Sequence, residues 1–97
     1  MKIDMDIKIE TKFKDGDEVY IIDHGYIDGE NVARWHVFGP RKILKTKIYV
    51  VNDGIEIIYR FSEEYSDSEE FCFSTKEKAQ VEADRRNNEA TKQTTNG

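Results

Sequence analysis

Ile43-Leu44-Lys45-Thr46-Lys47-Ile48-Tyr49-Val50-Val51, then Asn52-Asp53-Gly54, then Ile55-Glu56-Ile57-Ile58-Tyr59-Arg60-Phe61 is the stretch that decides the fold. Both arms are rich in β-branched and aromatic residues, which suit a pleated, half-buried surface. Asp-Gly between such arms is a strong hairpin signal, because both residues tolerate the positive φ of a type I′ turn. A loop at Asp53-Gly54 sets Val50 opposite Ile57, Ile48 opposite Tyr59 and Thr46 opposite Phe61. The other face then carries Lys45, Lys47, Glu56 and Arg60. A one-residue slip would move Glu56 and Arg60 onto the apolar face, so it is excluded. A two-residue slip keeps both faces intact, and the register stays open between the two. The hairpin makes the chain a small β domain.

Composition bounds the rest. The 97 residues make one domain with a thin core. Charged residues reach 36 %, well above the usual quarter, yet one Trp, five Tyr and five Phe argue against disorder. The net charge of −5 opposes non-specific binding to nucleic acid. That charge is unevenly placed: six acids and no base from Asp15 to Asn31, then five bases and no acid from Arg34 to Lys47, then mainly acid from Asp53 to Glu70. Taken singly, each block reads as a solvated strand face or loop. A single cysteine, Cys72, allows no internal disulfide and fits a cytoplasmic setting. No apolar run approaches membrane-spanning length, and Met1-Lys2-Ile3-Asp4-Met5-Asp6 is unlike a signal peptide.

Met1 to Glu10 alternates Ile3, Met5, Ile7 and Ile9 against Lys2, Asp4, Asp6 and Lys8, the pattern of an edge strand or a mobile arm. Asp15-Gly16-Asp17 is a turn leading into the short strand Glu18 to Ile22. Asp23 to Ala33 reads as a loop, Arg34 to Phe38 as a strand that Gly39-Pro40 breaks. An acidic linker, Ser62 to Glu70, precedes the short strand Phe71-Cys72-Phe73. Ser74-Thr75-Lys76-Glu77 matches a capping box and predicts a helix over 75–87, with Lys78, Glu82 and Arg86 at successive i,i+4 positions and a thin buried face of Ala79 and Ala83. Residues 88–97 form a polar tail expected to be disordered.

Catalytic signatures are missing: no glycine-rich phosphate loop, nucleophile elbow or metalloprotease motif. Cys72 would need His24 or His36 beside it to act as a nucleophile, and otherwise is one alternating residue of a strand. His24 and His36 with Asp23 are weak evidence for a metal without paired cysteines. The expectation is a non-enzymatic protein with no cofactor and no metal. Two surfaces are candidates. In the first, Glu63, Glu64, Asp67, Glu69 and Glu70 imitate phosphate charge with Tyr65 as the aromatic contact, and occupy a basic groove on a nucleic-acid-handling enzyme. Its bland counterpart is that these acids keep a loop soluble. In the second, Arg34, Arg41, Lys42, Lys45 and Lys47 with Trp35 and Tyr49 bind nucleic acid directly, cations on phosphate and aromatics on bases. Trp35 reads first as a core residue of a small barrel and only second as an anchor on a binding surface.

Phe13-Lys14-Asp15-Gly16-Asp17-Glu18-Val19-Tyr20 resembles the opening of SH3-like barrels of the Tudor and KOW type, in which an aromatic, a Gly-Asp turn and a Val-aromatic pair start the first strand. The closing Phe73-Ser74-Thr75-Lys76-Glu77-Lys78-Ala79-Gln80 and Asp84-Arg85-Arg86-Asn87 are similar to the ends of small proteins of phages and mobile elements of Firmicutes. The resemblance spans about Phe13 to Asn87, leaves out the Met1 to Glu10 arm, and transfers no catalytic residue. It implies a mainly β (α+β) fold: a small SH3-like antiparallel barrel of five to six strands with one C-terminal helix, residues 1–87 forming a single domain. With the acidic run, it implies a phage-encoded, anti-CRISPR-like inhibitor of a host defence nuclease. A nucleic-acid-binding barrel is the alternative, since fold alone does not give function.

Overall fold

A computed structural model describes residues 9–26, 29–52 and 54–95, the stretch 91–95 by its backbone alone. In chain order the elements are β1 (Glu18–Gly25), β2 (Arg34–Lys42), β3 (Lys45–Val51), β4 (Gly54–Arg60), β5 (Ser66–Ser68), a 3-10 turn (Glu69–Phe71), β6 (Cys72–Phe73) and α1 (Lys76–Thr95). The strands form two antiparallel sheets, β2-β1-β6 and β3-β4-β5. The fold is therefore mainly β with one C-terminal helix. Among the described residues the two sheets share no strand, and their pairings do not close into a barrel.

Ile43 is the corner between the sheets. Its N–H donates to the Asp17 carbonyl at 2.8 Å and its carbonyl accepts from Gly16 at 2.7 Å, while the next amide, of Leu44, donates to Arg60 at 2.8 Å. The Ile43 side chain then drops into a core of Val19, Ile21, Tyr59, Phe61 and Cys72. The alternation of β1 sends Val19 and Ile21 into this core and Ile22 to the other side. There Ile22 meets Ala79 and Ala83 of α1, with Trp35, Val37, Phe71 and Phe73 around them. Two alanines with no exposed surface let the helix backbone come close to β1, β2 and β6.

The hairpin takes the register slipped by two. Thr46 pairs with Tyr59, Ile48 with Ile57 and Val50 with Ile55, and Val51 closes on Gly54. Gly54 has φ +146°, a conformation side-chain-bearing residues rarely adopt, so it opens β4 instead of completing the turn. The faces are as the alternation requires, because a shift of two preserves them.

Other boundaries differ from the sequence-based expectation for identifiable reasons. Gly39-Pro40 does not end β2, which continues to Lys42. The register with β1 shifts between Val19 and Ile21, and the bulge absorbs the missing proline amide and the positive φ of Gly39. β1 runs on through Asp23 to Gly25, residues expected in a loop, because they pair with Arg34 to His36. The helix cap is Thr75, not Ser74: the Thr75 hydroxyl accepts from the Lys78 amide at 3.1 Å, and both residue types cap well. The helix also passes Asn87 and includes residues 88–95, which were expected in a disordered tail. Arg85 binds Glu82 at 2.6 Å and Glu89 at 2.7 Å, carrying the i,i+4 ladder across the expected end. Of the anticipated edge strand Met1 to Glu10, residues 1–8 lie outside the described residues, and Ile9 and Glu10 are exposed and irregular.

Candidate functional site

The acidic run does not stay together as one surface. Glu63, Glu64 and Glu70 are exposed. Glu69 is half-buried and its Oε2 accepts from the Tyr59 hydroxyl at 2.5 Å and from the Lys12 amide at 2.8 Å. Asp67 is also half-buried, accepting from the Tyr65 hydroxyl at 3.0 Å and the Ser68 amide at 2.9 Å. Burial, with help from the Asp23 and Glu70 charges, pushes its carboxyl above the ordinary range. Tyr65 is half-buried between Phe61 and Phe38, with ring centroids at 5.7 and 5.9 Å, and burial and Asp67 together raise its hydroxyl. Thus Tyr65, Asp67 and Glu69 join internal hydrogen bonds, because their segment folds back as β5 beside β4.

The basic block divides as well. Arg34 pairs with Glu30, and Arg41 lies 5.9 Å from the Phe38 ring centroid. Trp35 is the dock for the helix. The Asn87 side chain clasps its backbone, accepting from its amide at 2.8 Å and donating to its carbonyl at 2.9 Å. Phe71 stacks on its ring at 5.7 Å, and the Arg86 guanidinium lies 4.5 Å from its centroid. Lys45, Lys47 and Tyr49 do share a surface, the outer face of β3, with Arg60 directly across from Lys45.

The distal half of the β3–β4 hairpin is where apolar residues meet solvent. Val50 is 84 % exposed, and Ile48, Tyr49, Val51 and Ile55 are each more than 40 % exposed. Alternation sends Ile48, Val50 and Ile55 to the core-facing side, but the hairpin continues past the core, so that side is bare. Tyr49 and Val51 make the outer side apolar too. β5 covers β4 only at Ile58 to Arg60, so from Gly54 to Ile57 that edge has no strand partner among the described residues. An open notch of 410 Å³ lies there, lined by Val51, Ile55, Glu56, Ile57, Ser68, Glu69 and Glu70. It brings two members of the acidic run, Glu69 and Glu70, to the foot of the apolar tip. Apolar patches of this kind mark interaction surfaces, and an open strand edge accepts an extended segment. Sequence reasoning passed over Val50, Val51 and Ile55. The signal was the run Ile48-Tyr49-Val50-Val51, in which alternation stops and both faces turn apolar.

Cys72 is 3 % exposed, and its thiol lies 3.5 Å from the Ser68 carbonyl. Burial, then the Asp67 and Glu69 charges, pushes it up to about 12, so it stays protonated at neutral pH. His24 packs against Trp35 at 5.3 Å and His36 against Phe38 at 6.3 Å. Among the described residues no three His, Cys, Asp or Glu side chains converge as a metal site, and no helix is long and apolar enough to cross a membrane. No family model matches the chain, and neither a curated protein nor a solved structure matches it.

Proposed function

We propose that the chain is a non-enzymatic protein-binding module whose working surface is the hairpin tip and the notch beside β4. The carrying observation is the 84 % exposure of Val50 amid Ile48, Tyr49, Val51 and Ile55, at a point where β4 has an open edge. The partner supplies an extended apolar segment for that edge and a basic group for Glu56 and Glu70 at the rim. The acidic side chains of Glu56 and Glu70 at that rim support the narrower reading of a phage-encoded inhibitor seated in the groove of a host nucleic-acid enzyme. The SH3-like resemblance of Phe13 to Tyr20 supports the same family of small binding domains. Direct binding of nucleic acid is the second reading, favoured by Lys45, Lys47 and Tyr49 on one strand face.

The test compares partners captured from the host by wild type, by Ile55→Asp and by Lys45→Glu/Lys47→Glu, with DNA and RNA mobility shifts alongside. A protein retained by wild type and by the lysine variant, and lost with Ile55→Asp, supports the module. Retention by all three overturns it. A mobility shift at physiological salt that vanishes in the lysine variant installs the nucleic-acid reading instead. Alanine at Cys72, His24 and His36 together leaves capture intact.

A further inference from the structure

We infer that β3 is also the seam of a two-fold homodimer, formed by antiparallel pairing of its outer edge with the same edge of a second copy. This seam runs along the edge of the hairpin opposite the open edge of β4, and it shares only Val51 with the notch. Among the described residues β3 pairs only with β4. Just before it, Asp17 and Gly16 take the backbone of Ile43, and Asp15 accepts from the Thr46 hydroxyl at 2.8 Å. That last contact uses the Thr46 side chain only, so from Lys45 to Val51 the outer backbone edge of β3 has no strand partner among the described residues, and most of its length is apolar, the condition under which strands recruit strands.

The occupant follows from what the edge carries. Pairing all of Lys45 to Val51 with itself puts Ile48 on the two-fold axis, opposite the partner's Ile48. Thr46 then faces the partner's Val50, Lys47 the partner's Tyr49, and Lys45 the partner's Val51. No cation opposes a cation. On the core-facing side, Ile57 and Ile48 continue into the partner's Ile48 and Ile57, an unbroken apolar row across four strands. On the outer side, Lys47 lies over the partner's Tyr49, whose own cross-strand neighbour is the partner's Glu56. Ammonium, ring and carboxylate thus alternate in a favourable order. Sliding by one pair toward the strand start sets Lys47 against the partner's Lys47, and like charges face to face oppose it. Sliding the other way shortens the ladder. Like-charge opposition and ladder length together fix one register, and it covers Ile48, Tyr49, Val50 and Val51, each more than 40 % exposed in the monomer.

A seam of one strand is small, so the dimer is reversible and concentration-dependent. Sedimentation equilibrium from the low- to the high-micromolar range should show mass rising from 11.4 kDa towards twice that value. Ile48→Lys sets two cations on the axis and should weaken association roughly tenfold or more, and mixing Ile48→Lys with Ile48→Glu should restore it. Directly opposed antiparallel residues stand close enough for a disulfide, so Ile48→Cys should crosslink between copies on mild oxidation while Val81→Cys, 70 % exposed on α1, should not. This second variant stands if the charged ones fail to fold. Wild type that stays monomeric at every concentration overturns the proposal. Undiminished association of folded Ile48→Lys, or equal crosslinking at both cysteines, overturns it too.

Discussion

Replacing Tyr59 by Phe removes one oxygen from the centre of the fold. Tyr59 is fully buried, and its ring meets Phe13 edge-on at 5.7 Å, a contact that Phe preserves. The lost hydroxyl donates to Glu69 at 2.5 Å and accepts from the Phe13 amide at 3.1 Å. The first bond is to a carboxylate and contributes about 1.5–3 kcal/mol, the second about 1 kcal/mol. Glu69 is only half-buried, and water replaces part of what it loses. The net cost is about 2–3 kcal/mol, a large share of the ~5–15 kcal/mol a domain possesses. Urea unfolding followed by Trp35 fluorescence should show a lower midpoint with an unchanged slope, and the melting temperature should fall by roughly 10–20 °C. A double-mutant cycle with Glu69→Gln should return a coupling of about 1 kcal/mol or more. A Tyr59→Phe protein within about 0.5 kcal/mol of wild type would show that the Glu69 bond adds nothing, and that this acid is as available to a partner as Glu70.

Alkaline pH should destabilise the chain. Burial raises Tyr59, Tyr65 and Cys72 above the unfolded values of 10.0 for Tyr and 9.0 for Cys. Groups raised by folding stabilise below the unfolded pKa, and that contribution is lost as pH rises, so urea midpoints should fall from about pH 9 upward and less steeply in Tyr59→Phe. Gly39→Ala should cost about 1–3 kcal/mol, since φ is +128° and the added Cβ would lie 3.0 Å from the Val19 carbonyl oxygen; a neutral result in a thermal melt would count against the bulge geometry. Asn87→Ala should cost about 1–3 kcal/mol and speed amide exchange in the second half of α1, because it strips both bonds from the Trp35 backbone. Glu69→Lys should lower stability while Glu70→Lys leaves the melt within about 0.5 kcal/mol of wild type, the contrast that an undivided acidic surface would not produce.

The sequence and the structure part where three-dimensional neighbours decide. The two faces of the hairpin were legible, because period-two alternation survives any even slip. The register was not, because Val50 suits Ile55 as well as Ile57, and only the φ of Gly54 separates the two. The helix start was legible to within one residue, since Ser74 and Thr75 are chemically equivalent caps. Its far end was hidden, because Glu89 acquires helical meaning only through Arg85. The candidate surface was legible in its parts and not in its assembly. Five acids between Glu63 and Glu70 look alike in one dimension. Tyr59 and Tyr65 divide them, and no local pattern announces that those hydroxyls point at Glu69 and Asp67. Trp35 reads from the sequence as a core residue before a surface anchor, but nothing local shows that Asn87, far along the chain, binds it from the helix. The hairpin tip shows the reverse case. Alternation implies a half-buried strand, yet burial needs something to pack against, and α1 packs against β1, β2 and β6. A strand whose apolar face outruns its cover either pairs with another chain or carries a standing aggregation hazard. Lys45 and Lys47 at its start limit the hazard without covering the tip. What uses Ile48 to Val51 is therefore the question on which the function of this chain turns, and the edge of β3 and the notch beside β4 give it two separately testable answers.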